Sequence, residues 1–483
     1  MTIDLIHELV TAAAGIAPDR AALIAADGTA VSFAQFDSQV RERASWIIQR
    51  SRPGDRIAVL ADNSADYARL YYAVPRSGRI LTLINQRLSV SEHLDQLRRV
   101  QPALVLGDAR YLEPLTGAAD GLFSFESTQW QQHSMTEPDV AVHPDDAVWL
   151  LFTSGSTGPP KGVLHTHRSL TTAVRGTVAG RSVRAGGVYL LPFPMCHIAG
   201  YNMLVHHSAA STVLPVPAFR PDAFVAAVNA HGVTSCSLAP TMLHSLLAHL
   251  QDAPAELPTL RDISYGSAAI PADLLRRAVE RLGVGFHQGY GMTETGGNIT
   301  FLGPSDHLSD DPAVLRSAGR PHSEVNIRIA DDGEILIRGA QVAAHYWPDG
   351  PAAVDGWLHT GDAGFIDDSG RLVVTDRLKD IIITGGENVS SREVEDVLSL
   401  HPGVEQAAVI GVPDEYWGEA ICAVVVPGPA QPTADELIAH VRAHLAGFKR
   451  PRQVRFVDAL PVTSNGKVAK NAVRQSLTAQ SNT

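Results

Sequence analysis

The chain has 483 residues, too many for one hydrophobic core, so two or more domains are expected. Its 45% hydrophobic and 19% charged residues are an ordinary globular balance, and a formal net charge of -12 argues against a binder of nucleic acid or anionic membrane. Three widely spaced cysteines, Cys196, Cys236 and Cys422, with no C-x-x-C pair, argue against a zinc site or a disulfide framework.

The opening stretch, MTIDLIHELV, carries Asp4 and Glu8 where a secretory signal would carry basic residues. No apolar run approaches the roughly 18 residues that span a bilayer. The expected product is therefore cytoplasmic and not an integral membrane protein. RIAVLA (56–61) reads as a short strand and ADYARLYYAVPRSG as a helix closed by glycine. ALVLGD (103–108) and AVWLLFTS (147–154) read as further strands, SLTTAVRGTV as a helix, and GVTSCSLAP with TMLHSLLAHL repeats the alternation. Alternating strands and helices predict parallel sheets covered by helices. After about residue 322 the texture changes. EVNIRIADDGEILIRG and GFIDDSGRLVVTDR each read as two strands around a turn. SREVEDVLSLHPGVEQAAVIGVP reads as helix then strand and EAICAVVVP as a strand. TADELIAHVRAHLA reads as an amphipathic helix, with Thr433 and Glu436 spaced as a capping box. The expected fold class is α/β: a large N-terminal domain of parallel sheets with a β-rich subdomain (1–375), then a small mobile α+β domain (376–483).

LLFTSGSTGPPKGVLHTH (150–167) raises the functional question. A Ser/Thr/Gly run is commonly a linker. Here it sits between a predicted strand and a predicted helix and carries one lysine, a pattern that cradles phosphate through backbone N–H groups and hydroxyls. It is not a Walker loop: Pro160 and Gly162 stand where that pattern needs Gly and Ser or Thr. A lone histidine such as His197, or the alternating His165 and His167, is usually core.

TSGSTGPPKGV resembles the phosphate loop of the acyl-adenylate-forming superfamily, which includes acyl-CoA synthetases, coumarate-CoA ligases and luciferases. QGYGMTET (288–295), GWLHTGD (356–362), DRLKDIIITGGENVSSREVE (376–395) and NGKVAK (465–470) resemble its other motifs, in the family's order. The resemblance spans roughly residues 25–475 and implies a two-step reaction: a carboxylic acid and ATP give acyl-AMP and pyrophosphate, and a thiol then displaces AMP. The substrates so implied are the acid, ATP and CoA, with Mg²⁺.

The same resemblance assigns roles. Thr153, Ser154, Gly155, Ser156, Thr157, Gly158 and Lys161 would hold the β- and γ-phosphates. Glu294 would hold Mg²⁺ and Thr293 contact the α-phosphate. Gly266, Ser267, Ala268, Gln288, Gly289, Tyr290, Gly291 and Met292 would form the adenine slot, with Tyr290 stacking on the base. Asp362 would accept from the ribose hydroxyls, with Arg377 beside it. Lys467 would bridge the carboxylate and the α-phosphate. Asp376 matches the hinge. Gly385, Gly386, Glu387 and Lys449 would lie along the CoA path. His197 would gate the thiol step at an acid pocket built by His197, Ile198, Ala199, Gly200, Ser235 and Gly291, where small residues suggest room for a chain and no charged residue faces a polar acid. Two other readings stand beside the CoA ligase: transfer to the phosphopantetheine of an acyl carrier protein, and an inactive ligand-binding relative. A hydrolase is disfavoured because no G-x-S-x-G elbow occurs.

Overall fold

The structure is a computed structural model that describes residues 3–132, 140–153, 161–254, 256–266, 270, 272–348, 350–462 and 468–481. The chain divides into two compact units. The first comprises residues 1–269, 278–327 and 337–358; the second comprises residues 270–277, 328–336 and 359–483.

The first unit is built on two large sheets. In the nine-stranded sheet, Val188–Leu191, Thr212–Pro215, Ser235–Ser237, Asp262–Gly266 and Gly285–Met292 run parallel, and Gly297–Leu302 closes antiparallel on the last of them. In the eight-stranded sheet, Arg56–Leu60, Ile80–Leu83, Leu104–Gly107 and Ala147–Thr153 are parallel neighbours. The predicted strands sit where the apolar runs placed them, because strands covered on both faces need continuous apolar sequence. Helices Ala65–Arg76 and His167–Gly180 also match the expectation; each begins at a hydroxyl cap, Ser64 accepting from Tyr67 N and Thr166 from Ser169 N. Trp46, Tyr71, Tyr72, Trp149 and Tyr189 are sealed in this unit's core; such burial contributes about 1.5–3 kcal/mol per large apolar side chain.

One expectation is corrected. The Ser/Thr/Gly run is not followed directly by the helix: residues 161–166 form a strand, Lys161–Thr166, antiparallel to Ala147–Thr153 with Thr153 opposite Lys161. The reason is legible afterwards: Val163 and His165 point into the core while Leu164 and Thr166 are half-buried, a period of two that a helix cannot satisfy. The helix starts only at His167.

The two hairpins appear as Val325–Ile329 with Glu334–Gly339 and Leu358–Ile366 with Leu372–Arg377, neighbours in a four-stranded sheet. In the second unit, Glu387–Val389, Ile382–Thr384, Gly418–Pro427, Val404–Asp414 and Gln453–Phe456 form a five-stranded sheet. Helices Ser391–Leu398 and Ala434–His444 pack on it through Val394, Leu398, Leu437 and Val441. Thr433 and Glu436 form the expected capping box. The three cysteines are buried and unpaired. Among the described residues no helix is long and apolar enough to cross a membrane.

Candidate active site

The strand after the loop does two things at once. At its start, Lys161 places Nζ 5.0 Å from the centre of the Tyr346 ring. Four residues on, His165 is fully buried, and its Nε2 lies 2.7 Å from the carbonyl oxygen of Thr293, with Nδ1 3.1 Å from Ser169 Oγ. Burial holds the His165 pKa down at about 4, so the ring is neutral and one nitrogen can donate to the carbonyl. The histidine thus ties the Thr293–Thr295 turn to the hairpin.

Glu294 sits on that turn, 8% exposed. Tyr346 donates its hydroxyl to Glu294 Oε1 at 3.2 Å. Burial, and then the neighbouring carboxylate, push the tyrosine hydroxyl far above its ordinary range, so it stays a donor at neutral pH. Lys161, Tyr346 and Glu294 therefore form a chain of contacts at one end of the site. Tyr346 and His165 had no role in the sequence reading. The signal that could have found Tyr346 was its aromatic neighbour Trp347 in a strand-like HYW run, paired with Lys161–Thr166 in the structure.

Gln288, Gly289, Tyr290, Gly291 and Met292 line up on the strand Gly285–Met292, and Gly266 stands opposite Gly289. Gln288 Oε1 accepts from the Tyr265 hydroxyl at 3.3 Å. His197 precedes the short 3-10 turn Ile198–Tyr201. Burial, and secondly Arg87, hold its pKa at about 4, and its buried Nε2 has no partner among the described residues.

The glycines that suggested room for a chain have another cause. A Cβ on Gly200 would lie 2.1 Å from the Tyr71 hydroxyl, and one on Gly291 would lie 2.1 Å from the carbonyl oxygen of Gly297. Both spaces are already filled by protein. Ser235 opens its strand level with Asp262, four residues short of Gly266 along the neighbouring strand, and is not brought to the strand ends where Gly291 lies.

In the second unit, Asp362 and Arg377 are cross-strand neighbours whose side chains pair at 2.7 Å, with Asp362 buried. Asp376 accepts at Oδ2 from Ser391 Oγ at 2.7 Å and Ser390 Oγ at 3.1 Å, and at Oδ1 from the Arg377 amide at 2.8 Å. Gly385 and Gly386 have φ of 61° and 84° and form the two-residue turn between Ile382–Thr384 and Glu387–Val389, a geometry that glycine pairs favour. Glu387 is exposed at the far side of that turn. Lys449 pairs with Glu393 at 2.6 Å. Ser154, Gly155, Ser156, Thr157, Gly158, Ser267, Ala268 and Lys467 lie outside the described residues.

The family model for AMP-binding enzymes matches residues 10–347, and that for the AMP-binding enzyme C-terminal domain matches residues 393–467. The chain belongs to the AMP-binding enzyme family. This AMP-binding enzyme is 36% identical to a feruloyl-CoA synthase of Amycolatopsis sp over 467 residues, 93% of the chain and 94% of the relative. It is 33% identical to a fatty acid–[acyl-carrier-protein] ligase of Streptomyces coeruleorubidus, covering 87% of the chain and 86% of the relative. The structure of o-succinylbenzoate CoA synthetase from Bacillus subtilis in complex with its acyl-adenylate intermediate superposes with a TM-score of 0.87 at 29% identity, over 96% of this chain and 97% of that one. The AMP-binding enzyme is thus an AMP-forming acid–thiol ligase of the acyl-adenylate-forming superfamily.

Mg²⁺ fits the donors present in one way. Among the described residues no group of three or more His, Cys, Asp or Glu side chains could enclose a metal. A single buried carboxylate, Glu294, suits an ion that draws its other ligands from phosphate oxygens and water. So bound, Mg²⁺ would neutralise charge on the triphosphate.

Proposed function

We propose that the enzyme activates a fatty or aromatic acid as acyl-AMP and transfers the acyl group to CoA. The observation that supports this most is the convergence of Lys161, Tyr346, Glu294 and His165 on the turn that follows the adenine strand. In the first step a carboxylate oxygen of the acid bonds to the α-phosphorus and the bond to the β-phosphate bridging oxygen breaks. Charge on the transferring group must be met by positioned cations and donors, because the chemistry needs little else from the protein. Lys161 supplies a fixed positive charge, and Tyr346 holds the Glu294 carboxylate in one orientation. Asp362 would accept from the ribose hydroxyls, with Arg377 setting its orientation. Lys467 would bring a second cation to the carboxylate and α-phosphate.

In the second step the thiolate of CoA attacks the acyl carbonyl and AMP leaves. A neutral His197, whose buried Nε2 has no partner among the described residues, suits a contact to the acid or to the incoming thiol. Asp376 would be the hinge between adenylation and thiolation, with residues 376–483 moving as a domain, and the turn at Gly385–Gly386 with Glu387 and Lys449 would lie on the thiol's path. A carrier-protein phosphopantetheine is the second reading of the acceptor, since one relative is named for that reaction.

The test is pyrophosphate release with ATP and Mg²⁺ over a panel of fatty and aromatic acids, with and without CoA, and products identified by mass. Acyl-CoA with AMP supports the reading. Acyl-AMP that accumulates despite CoA moves the acceptor to a carrier protein. Silence over the whole panel overturns the choice of acid.

A further inference from the structure

The turn that carries Asp362 is gripped from the neighbouring hairpin by a second carboxylate. Glu334 opens the strand Glu334–Gly339, next to Leu358–Ile366 in the four-stranded sheet, and is 8% exposed. Its two oxygens take the two sides of Thr360. Oε1 accepts from the Gly361 amide at 2.8 Å, and Oε2 accepts from His359 Nδ1 at 2.6 Å. Thr360, itself buried, completes the grip: its Oγ1 donates to the carbonyl oxygen of Ile335 at 2.7 Å and accepts from the Asp362 amide at 3.0 Å.

A carboxylate taken out of water is costly unless its oxygens are met. Those of Glu334 are met by the residues one and three positions before Asp362. Gly361 has a φ of 69°. Glycine visits positive and negative φ about equally, so its own preference does not set this turn; the bond from its amide to Glu334 does. On the other side, Arg377 Nε pairs with Asp362 Oδ1 at 2.7 Å, and Arg377 Nη1 donates to the carbonyl oxygen of Thr360 at 3.4 Å. Asp362 is thus fixed twice, at its side chain by Arg377 and at its backbone through Glu334.

We propose that Glu334 is a positioning residue of the nucleotide site: through Gly361 and His359 it sets the turn that presents Asp362 to the ribose hydroxyls. His359, half exposed, is the outer half of that grip. The inference rests on the role proposed above for Asp362. Glu334 acts through Asp362 and not on the nucleotide, so its removal is felt at the ribose hydroxyls. A misplacement of about 1 Å in a positioning group can cost about a hundredfold in rate, which leaves a wide margin for detection.

The experiment compares ATP with 2′-deoxy-ATP and 3′-deoxy-ATP, by pyrophosphate release and by calorimetric binding of each nucleotide. It uses the full chain and its Glu334→Ala, Glu334→Gln and His359→Ala variants. The wild type should prefer ATP to each deoxy analogue by about tenfold, since each lost hydroxyl removes a hydrogen bond to a charged group. Glu334→Ala should raise KM for ATP by about tenfold and KM for the analogues far less, with kcat less affected, so that the preference falls toward one. Glu334→Gln keeps an acceptor for the Gly361 amide and should restore most of the preference. His359→Ala removes one of the two contacts and should lose part of it; it carries the same comparison if Glu334→Ala does not fold. A purely structural loss weakens all three nucleotides equally. That result in both alanine variants, or a preference that both keep, overturns the proposal and leaves the ligase reading standing. A wild type that binds the three nucleotides alike overturns the role of Asp362 and the proposal with it. The expected binding ratios with no pyrophosphate from any acid support the role of Glu334 and overturn the ligase reading alone.

Discussion

Tyr346 stands between a cation and an anion, with its ring beside Lys161 and its hydroxyl on Glu294, 52 residues away along the chain. A hydrogen bond to a charged group contributes about 1.5–3 kcal/mol, and about 1.4 kcal/mol is tenfold in rate. Tyr346→Phe should therefore slow pyrophosphate release by roughly tenfold or more, while thioester formation from supplied acyl-AMP holds; equal loss of both steps would remove Tyr346 from the first. Under the role proposed for Lys467, Lys467→Ala should be harsher in the same direction, abolishing pyrophosphate release and sparing thioester formation from supplied acyl-AMP; equal loss of both steps would sink that role. The two residues were unequally legible. Lys467 sits in a contiguous motif that the sequence displays. Tyr346 acts through a contact between distant segments, and the strand-like HYW run around it does not say that its partner is Glu294.

At the scale of elements, glycine-rich and basic stretches carry structure before they carry function. Gly385 and Gly386 both adopt positive φ in a two-residue turn, so a bulky residue there would strain the hairpin before it blocked any ligand. A Cβ on Gly200 would overlap the Tyr71 hydroxyl. Gly200→Ala should cost about 1–3 kcal/mol by overpacking, measurable by urea denaturation; an undiminished midpoint would return Gly200 to the pocket. The last helix, Lys470–Ser481, is anchored by Lys470 on Glu395 at 2.7 Å and by Arg474 on Asp380 at 2.9 Å. Burial pushes the Glu395 carboxyl above its usual range, and Lys470 works against that shift. A raised carboxyl pKa favours the fold below the unfolded value and loses that contribution as pH rises through the folded one. Lys470→Met removes the counter-charge, so its destabilisation, on the order of 1–3 kcal/mol for a half-buried carboxylate left without its partner, should be larger at pH 8 than at pH 5. A pH-independent loss would mean the pair does not matter electrostatically.

At the scale of the molecule, the first unit buries a set of neutral histidines. Burial holds His7, His165, His197 and His207 near a pKa of about 4 and His167 near about 3. A depressed histidine pKa favours the fold above the unfolded value of 6.5 and loses that contribution as pH falls toward the folded value. Each such group should remove on the order of 1–2 kcal/mol between pH 6.5 and pH 5. Calorimetry should show the larger unit's transition falling steeply with acid over that window; a flat profile would mean the rings titrate freely. What the sequence determined by itself was local and repetitive: apolar runs that had to be strands, the hydroxyl that starts the Ala434–His444 helix, and motifs whose residues are contiguous. Those depend on neighbours a few positions apart, which a sequence displays directly. The tertiary structure decided what depends on distant segments meeting. It made residues 161–166 a strand, through pairing with Ala147–Thr153 on one side and with the strand of Tyr346 on the other. It put His165 under Thr293, filled the space beside Gly200 with Tyr71, and gathered Arg181, Arg261 and His287 around one cavity. Packing and electrostatics act through space, and only the folded chain sets which distant residues share it.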